Sequence, residues 1–254
     1  VTSFKALFKV MSRGRFRLMN WVILAELAVI AATLLWGFAS DGIEHGDTFW
    51  VTLAWSMVAF TVAFILLSVR MERVYTRDTY RLLPLGETKL YLTDLLSSVV
   101  MFVYFGVIQC GLYLITEVID NRYLVTLLQA VGGPNYTTGQ AFKVATGLVA
   151  LGLALLILGW TTISLVHLVI SATNNFLPNT SRRLINVILY VIVILLVIRI
   201  TGFLFHEVNN LGQLIAGGVT AQFMINIGGA LVIAAIEAVL NIVLLKKWVE
   251  TIPN

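Results

Sequence analysis

The sequence predicts an all-α polytopic membrane protein with about six transmembrane helices and both termini in the cytoplasm. Three observations lead there. Hydrophobic residues make up 59% of the 254 positions and charged residues only 12%, with a mean hydropathy of +0.93. A soluble domain of that size needs a polar exterior that this composition cannot supply. Apolar runs of the length a hydrocarbon core demands, about 20 residues for about 30 Å, recur along the chain. The basic residues gather on alternate connections between those runs.

The six runs are residues 18–38, 49–69, 90–115, 144–170, 184–205 and 223–245. The whole chain, residues 1–254, reads as one transmembrane domain, because no connection is long enough for an independent core. No cleavable signal peptide is expected, since the first apolar run exceeds a secretory leader's and further spans follow it.

Before the first run, Phe4, Leu7, Phe8 and Met11 recur at helical spacing, with Lys5 and Lys9 between them and Arg13, Arg15 and Arg17 behind. Residues 1–17 therefore read as an amphipathic helix lying in the inner headgroup layer and feeding span one. It serves as a topology anchor or as a lever on a cytoplasmic partner, and the two roles are compatible.

The connection over residues 70–89 holds Arg70, Arg73, Arg77, Arg81 and Lys89. Arg73, Arg77 and Arg81 are spaced by four, so a helix stacks them on one face. Pro84 disfavours helical geometry at Leu83, and Pro84, Leu85 and Gly86 make a turn. Glu87 and Thr88 suit the first turn of the next helix. The expected product is helix, sharp turn, helix, with Leu82, Leu83, Pro84 and Leu85 displayed at its end, either for lipid or as a knob for another protein.

Arg182 and Arg183 follow span four, and Lys246 and Lys247 follow span six. Together with the arm and the 70–89 loop, fourteen of the 17 basic residues fall on one side. The opposite side carries Asp41, Glu44, Asp47, Glu117, Asp120 and Glu207, with Arg122 and Lys143. The basic side is expected to be cytoplasmic. The external loop over residues 117–142 contains Gly132, Gly133 and Pro134. Residues 202–222 form either a plain loop or a short helix dipping back into the outer leaflet.

Much chemistry is missing. There is no phosphate-binding loop, no second histidine to make a zinc-protease helix of His206-Glu207, and no nucleophile elbow. His45, His167 and His206 are far apart in sequence and are not expected to hold a metal. Cys110, the single cysteine, reads as a lipid-facing or packed residue. A net charge of +4 gives no reason to expect nucleic acid. No catalytic residue and no cofactor are expected in this chain.

Charges inside the spans stand out, because an ionisable side chain at mid-bilayer costs about 2.5–3.5 kcal/mol on insertion scales. Glu26 and Glu237 each lie eight residues from the inner end of their span, or roughly 12 Å deep. They either line a polar path, binding a cationic group, or are buried against Ser, Thr or Asn of neighbouring helices. Arg199, nearer the outer face, either snorkels or meets Glu117 or Glu207.

Residues 81–98, Arg-Leu-Leu-Pro-Leu-Gly-Glu-Thr-Lys-Leu-Tyr-Leu-Thr-Asp-Leu-Leu-Ser-Ser, resemble the corresponding loop of ABC-2-type permeases, the membrane subunits of a class of ABC transporters. Asp94 departs from that pattern, where a base is frequent. The resemblance implies that the 70–89 loop is a coupling helix docking on a separate ABC ATPase subunit, which binds ATP and Mg. It implies a second permease subunit, identical or similar, and a place in the bacterial plasma membrane among its lipids. Export of a peptide, an antibiotic-like compound or a lipid is the implied activity. A proton-coupled secondary transporter using Glu26 or Glu237, or a non-transporting membrane immunity or scaffold protein, are the other readings the residues allow.

Overall fold

A computed structural model describes residues 3–40, 42, 46–76, 86–120, 138–174 and 219–247, together with isolated positions between 187 and 206. Among the described residues the chain is helical, with five long helices: α1 (Phe4–Ser40), α2 (Asp47–Thr76), α3 (Glu87–Asp120), α4 (Thr138–Asn174) and α5 (Val219–Lys247). All five are long and apolar enough to cross a membrane. The fifth apolar run, residues 184–205, lies largely outside the described residues. Its described positions, among them Val187, Ile188, Val191 and Ile192, are helical and exposed.

Several boundaries differ from the sequence expectation. The arm is not a separate element, because α1 runs unbroken for 37 residues from Phe4, about 55 Å at a helical rise. That is longer than a hydrocarbon core, so the helix continues past it. The external loop shortens at both ends, since α3 continues to Asp120 and α4 already begins at Thr138. The segment over residues 202–222 lies outside the described residues, apart from helical Gly202 and His206 and the start of α5.

Two glycines set the α1–α2 corner. Gly42 has φ 84° and its N–H donates to the Gly37 carbonyl at 3.1 Å, satisfying one of the orphan carbonyls of the helix end. Gly46 has φ 97°, and its carbonyl accepts from the Trp50 N–H at 3.1 Å, opening α2. At the start of α3, the Gly86 carbonyl accepts from Lys89 and Leu90, and Glu87 in the first turn faces the positive helix end.

The chain divides into two compact units, one of residues 1–71 and 92–144, the other of residues 72–91 and 145–254. In the first unit α1, α2 and α3 contact one another in pairs. Contacts between α1 and α3 rise together in number: Arg15 with Asp94, Asn20 with Tyr104, Glu26 with Gln109. These two helices are parallel. Contacts of α2 run in the opposite sense: Gly14 with Arg70, Glu26 with Ser56, Thr33 with Trp55, Phe49 with Tyr113, Phe60 with Phe102. The buried face of α2 repeats Thr52, Ser56, Ala59 and Ala63, small residues that let helices approach without a hydrophobic drive between them.

In the second unit α4 and α5 are also parallel. Leu158 packs with Ile233 and Ala234, and one turn on Thr161 meets Glu237. At the far end the rings of Tyr75 and Tyr91 stack with centroids 5.7 Å apart. In both units large apolar side chains such as Trp21, Trp36, Val118, Met224 and Val239 point outwards, while Ser, Thr, Gln and acidic residues lie inside. An apolar exterior around an interior that holds polar groups beside its apolar core suits lipid as solvent.

Candidate functional site: polar clusters on the buried helix faces

The buried face of α1 is the row Leu7, Met11, Arg15, Met19, Val22, Ile23, Glu26 and Ile30. It carries two charged residues, and each meets a cluster on α3. Arg15 is only 2% exposed and Asp94 is fully buried. The Arg15 guanidinium donates to Asp94 Oδ1 and to Ser97 Oγ. Ser97 and Ser98 donate in turn to the Asp94 carbonyl. A charge this deep is tolerable because a partner neutralises it and hydrogen bonds hold the geometry.

Eleven residues further along α1, Glu26 meets one residue from each neighbouring helix. Ser56 Oγ on α2 lies 3.0 Å from Glu26 Oε1 and 2.9 Å from Gln109 Oε1. Gln109 Nε2 on α3 donates to Glu26 Oε2. The result is a closed ring of three contacts among three helices, and all three residues are buried. Three contacts need three protons. Ser56 supplies one, and the Gln109 amide supplies one whichever way it is turned. A proton on Glu26 completes the ring, whereas a bare carboxylate leaves one contact without a hydrogen.

The second unit has its own acidic cluster. Thr161 and Thr162 on α4 each lie 2.8 Å from Glu237 Oε2 on α5. Thr161 also reaches the Leu158 carbonyl at 2.9 Å. One turn further on, Asn241 Nδ2 donates to the Tyr91 hydroxyl at 2.9 Å and to the Thr161 carbonyl at 3.0 Å. His167 Nδ1 stands 4.0 Å from a Glu72 carboxylate oxygen.

The expected site residues fare differently. Glu26 and Glu237 are both buried, each held by residues of neighbouring helices. Arg199 is a helical, exposed position. Of the coupling loop, Arg73 is exposed in the last turn of α2 and Gly86 is exposed just before α3, while Arg77, Arg81, Leu82, Leu83, Pro84 and Leu85 lie outside the described residues. Cys110 faces outwards. Among the described residues no group of acids, histidines and cysteine has metal-binding geometry.

Sequence reasoning passed over Arg15 and Asp94 as a pair, counting the first as a cytoplasmic anchor and the second as a departure from a motif. It also passed over Gln109, Ser56, Thr161, Thr162 and Asn241. A signal was present: Asp94, Ser97, Ser98, Gln109 and Thr116 fall on one helical stripe of an otherwise apolar segment.

Comparison with family models, with curated proteins and with solved structures gives no match.

Proposed function

We propose that the chain is the membrane-spanning permease subunit of a bacterial ABC exporter of the ABC-2 type, energised by ATP hydrolysis on a separate subunit. The observation that carries this reading is the 81–98 segment, with its arginine, apolar knob, Pro-Leu-Gly turn and helix start. Its described part supports the reading, because α3 begins at Glu87 directly after exposed Gly86. Both termini and the 70–89 loop are then cytoplasmic. In the first unit this orientation agrees with parallel α1 and α3 and antiparallel α2. In the second it agrees with parallel α4 and α5. The substrate is a peptide, an antibiotic-like compound or a lipid. Two permease subunits, identical or similar, serve the two ATPase subunits, and lipid is the surrounding solvent.

Leu83 and Leu85 are then anchors in a groove of the ATPase, and truncating well-packed anchors costs about 2 kcal/mol or more of binding. Leu83→Ala combined with Leu85→Ala should release the ATPase during purification and abolish transport at equal expression, while Arg77→Ala alone does less. Retention of the ATPase and of transport by the double variant would sink the assignment.

A second reading is favoured by one observation, the Glu26 ring. A carboxyl group held by Ser56 and Gln109 with room for one proton is what a proton-coupled secondary transporter needs.

A further inference from the structure

On α1, Arg13, Arg15 and Arg17 follow one another at alternate positions, yet their surroundings diverge. Arg15 turns inwards to Asp94. Arg13 and Arg17 are exposed, and so is Arg70 on α2. Those three line one cavity of about 330 Å³ together with Val10, Gly14, Leu18 and Trp21. No acidic residue is among its lining, and among the described residues none of the three arginines forms an ion pair. Three arginines lining one cavity with no acid in its walls make a cationic site suited to an anion.

The walls say what kind of anion. Arg70 is held in place by donating from Nη1 to the Gly14 carbonyl at 3.2 Å. Gly14 has no side chain, and the Arg70 guanidinium lies over it, 3.5 Å from where a Cβ would stand. A second cavity of about 310 Å³ shares Arg13, Arg17 and Trp21 and continues along α1 to Phe16, Asn20 and Leu24. Trp21 and Leu24 are 67% and 57% exposed. From Arg17 to Leu24 the helix climbs about 10 Å towards the apolar interior. The lining thus changes from cationic to apolar along the direction in which a lipid changes from headgroup to chain. A tryptophan at that transition is typical of the membrane interface.

We propose that Arg13, Arg17 and Arg70 bind the headgroup phosphate of an anionic phospholipid whose acyl chain lies along Trp21 and Leu24. A free phosphate shares the headgroup chemistry but has no use for the apolar wall.

The test is native mass spectrometry of the full chain, purified with whatever partners co-purify, titrated separately with phosphatidylglycerol, phosphatidylcholine and inorganic phosphate. Each basic residue near an anionic lipid contributes about a fivefold factor. The triple variant Arg13→Gln, Arg17→Gln, Arg70→Gln should therefore lose phosphatidylglycerol binding by roughly a hundredfold, with phosphatidylcholine unchanged. Arg17→Gln alone, should the triple variant not fold, should lose about fivefold. A control of equal charge change, Lys5→Gln, Lys9→Gln and Lys246→Gln, alters exposed residues that line neither cavity and should leave binding near the wild-type level. Equal loss in the control would mean general surface charge and overturn the site. Unchanged binding in the arginine variants would overturn it too. Displacement of the lipid by inorganic phosphate at comparable concentration would make it a free-anion site and overturn the lipid assignment.

Discussion

Arg15 and Arg17 sit two residues apart on one helix, and their settings are opposite. Arg15 is buried against Asp94 and Ser97, whereas Arg17 lies exposed beside Arg13 in a cavity with no acid. Two helical residues are separated by about 200° around the axis, so alternate positions on α1 face nearly opposite directions. Identical side chains thereby take different work. One fastens α1 to α3, and the other stays exposed. The comparison teaches that a count of positive residues near a membrane surface mixes groups that orient the chain with groups that hold helices together.

Breaking the inner pair is expected to have the largest effect. Arg15→Ala removes the guanidinium that neutralises the buried Asp94 carboxylate and should destabilise by about 3–5 kcal/mol. Replacing both partners, Arg15→Met with Asp94→Leu, should recover most of that loss, because apolar residues of similar volume often substitute for a buried pair at little cost. Thermal unfolding of the purified variants in one detergent makes the comparison. A single variant as stable as wild type would show that Arg15 is as dispensable as Arg17.

An intermediate effect is expected at Glu26, on the same buried face eleven residues further along α1. Glu26→Ala takes from the Gln109 amide N–H its carboxyl acceptor, leaving Ser56 its contact with Gln109, and should cost about 1–3 kcal/mol. Glu26→Gln keeps the ring closed, since an amide donates to Ser56 and accepts from Gln109, and its unfolding should stay near the wild-type temperature. Equal loss in both variants would mean that the ring holds a carboxylate rather than a neutral acid. The same Gln variant separates the two functional readings. It should transport normally in an ATP-driven permease, and it should fold yet fail to transport if Glu26 carries the coupled proton.

The smallest effect is expected at Arg17. Arg17→Gln should leave the unfolding temperature within experimental scatter, as substitutions at exposed positions generally do. A drop as large as that of Arg15→Ala would mean that both faces of α1 are structural and would remove the contrast.

By itself the sequence determined the solvent and the elements. Uninterrupted apolar runs force helices wherever backbone groups cannot reach water, so the spans were legible at residues 18–38, 49–69, 90–115, 144–170 and 223–245, each of which falls within or largely within a helix of the structure. Glu26 and Glu237 were legible as well, because a charge inside an apolar run is conspicuous without any knowledge of its neighbours. Tertiary structure alone decided the partners. Arg15 is separated from Asp94 by 79 residues, and Glu26 from Gln109 by 83. Which side chains meet across such distances depends on the mutual rotation and sliding of two helices. That register is set by packing along their whole length, with small residues on α2 allowing the approach, and no local pattern encodes it. The continuous α1 has the same origin. Its first turns look in sequence like an amphipathic helix lying in the headgroup layer and feeding the span, but Leu7, Met11 and Arg15 are buried along the same face as Glu26, and that shared face keeps the arm in line with the span.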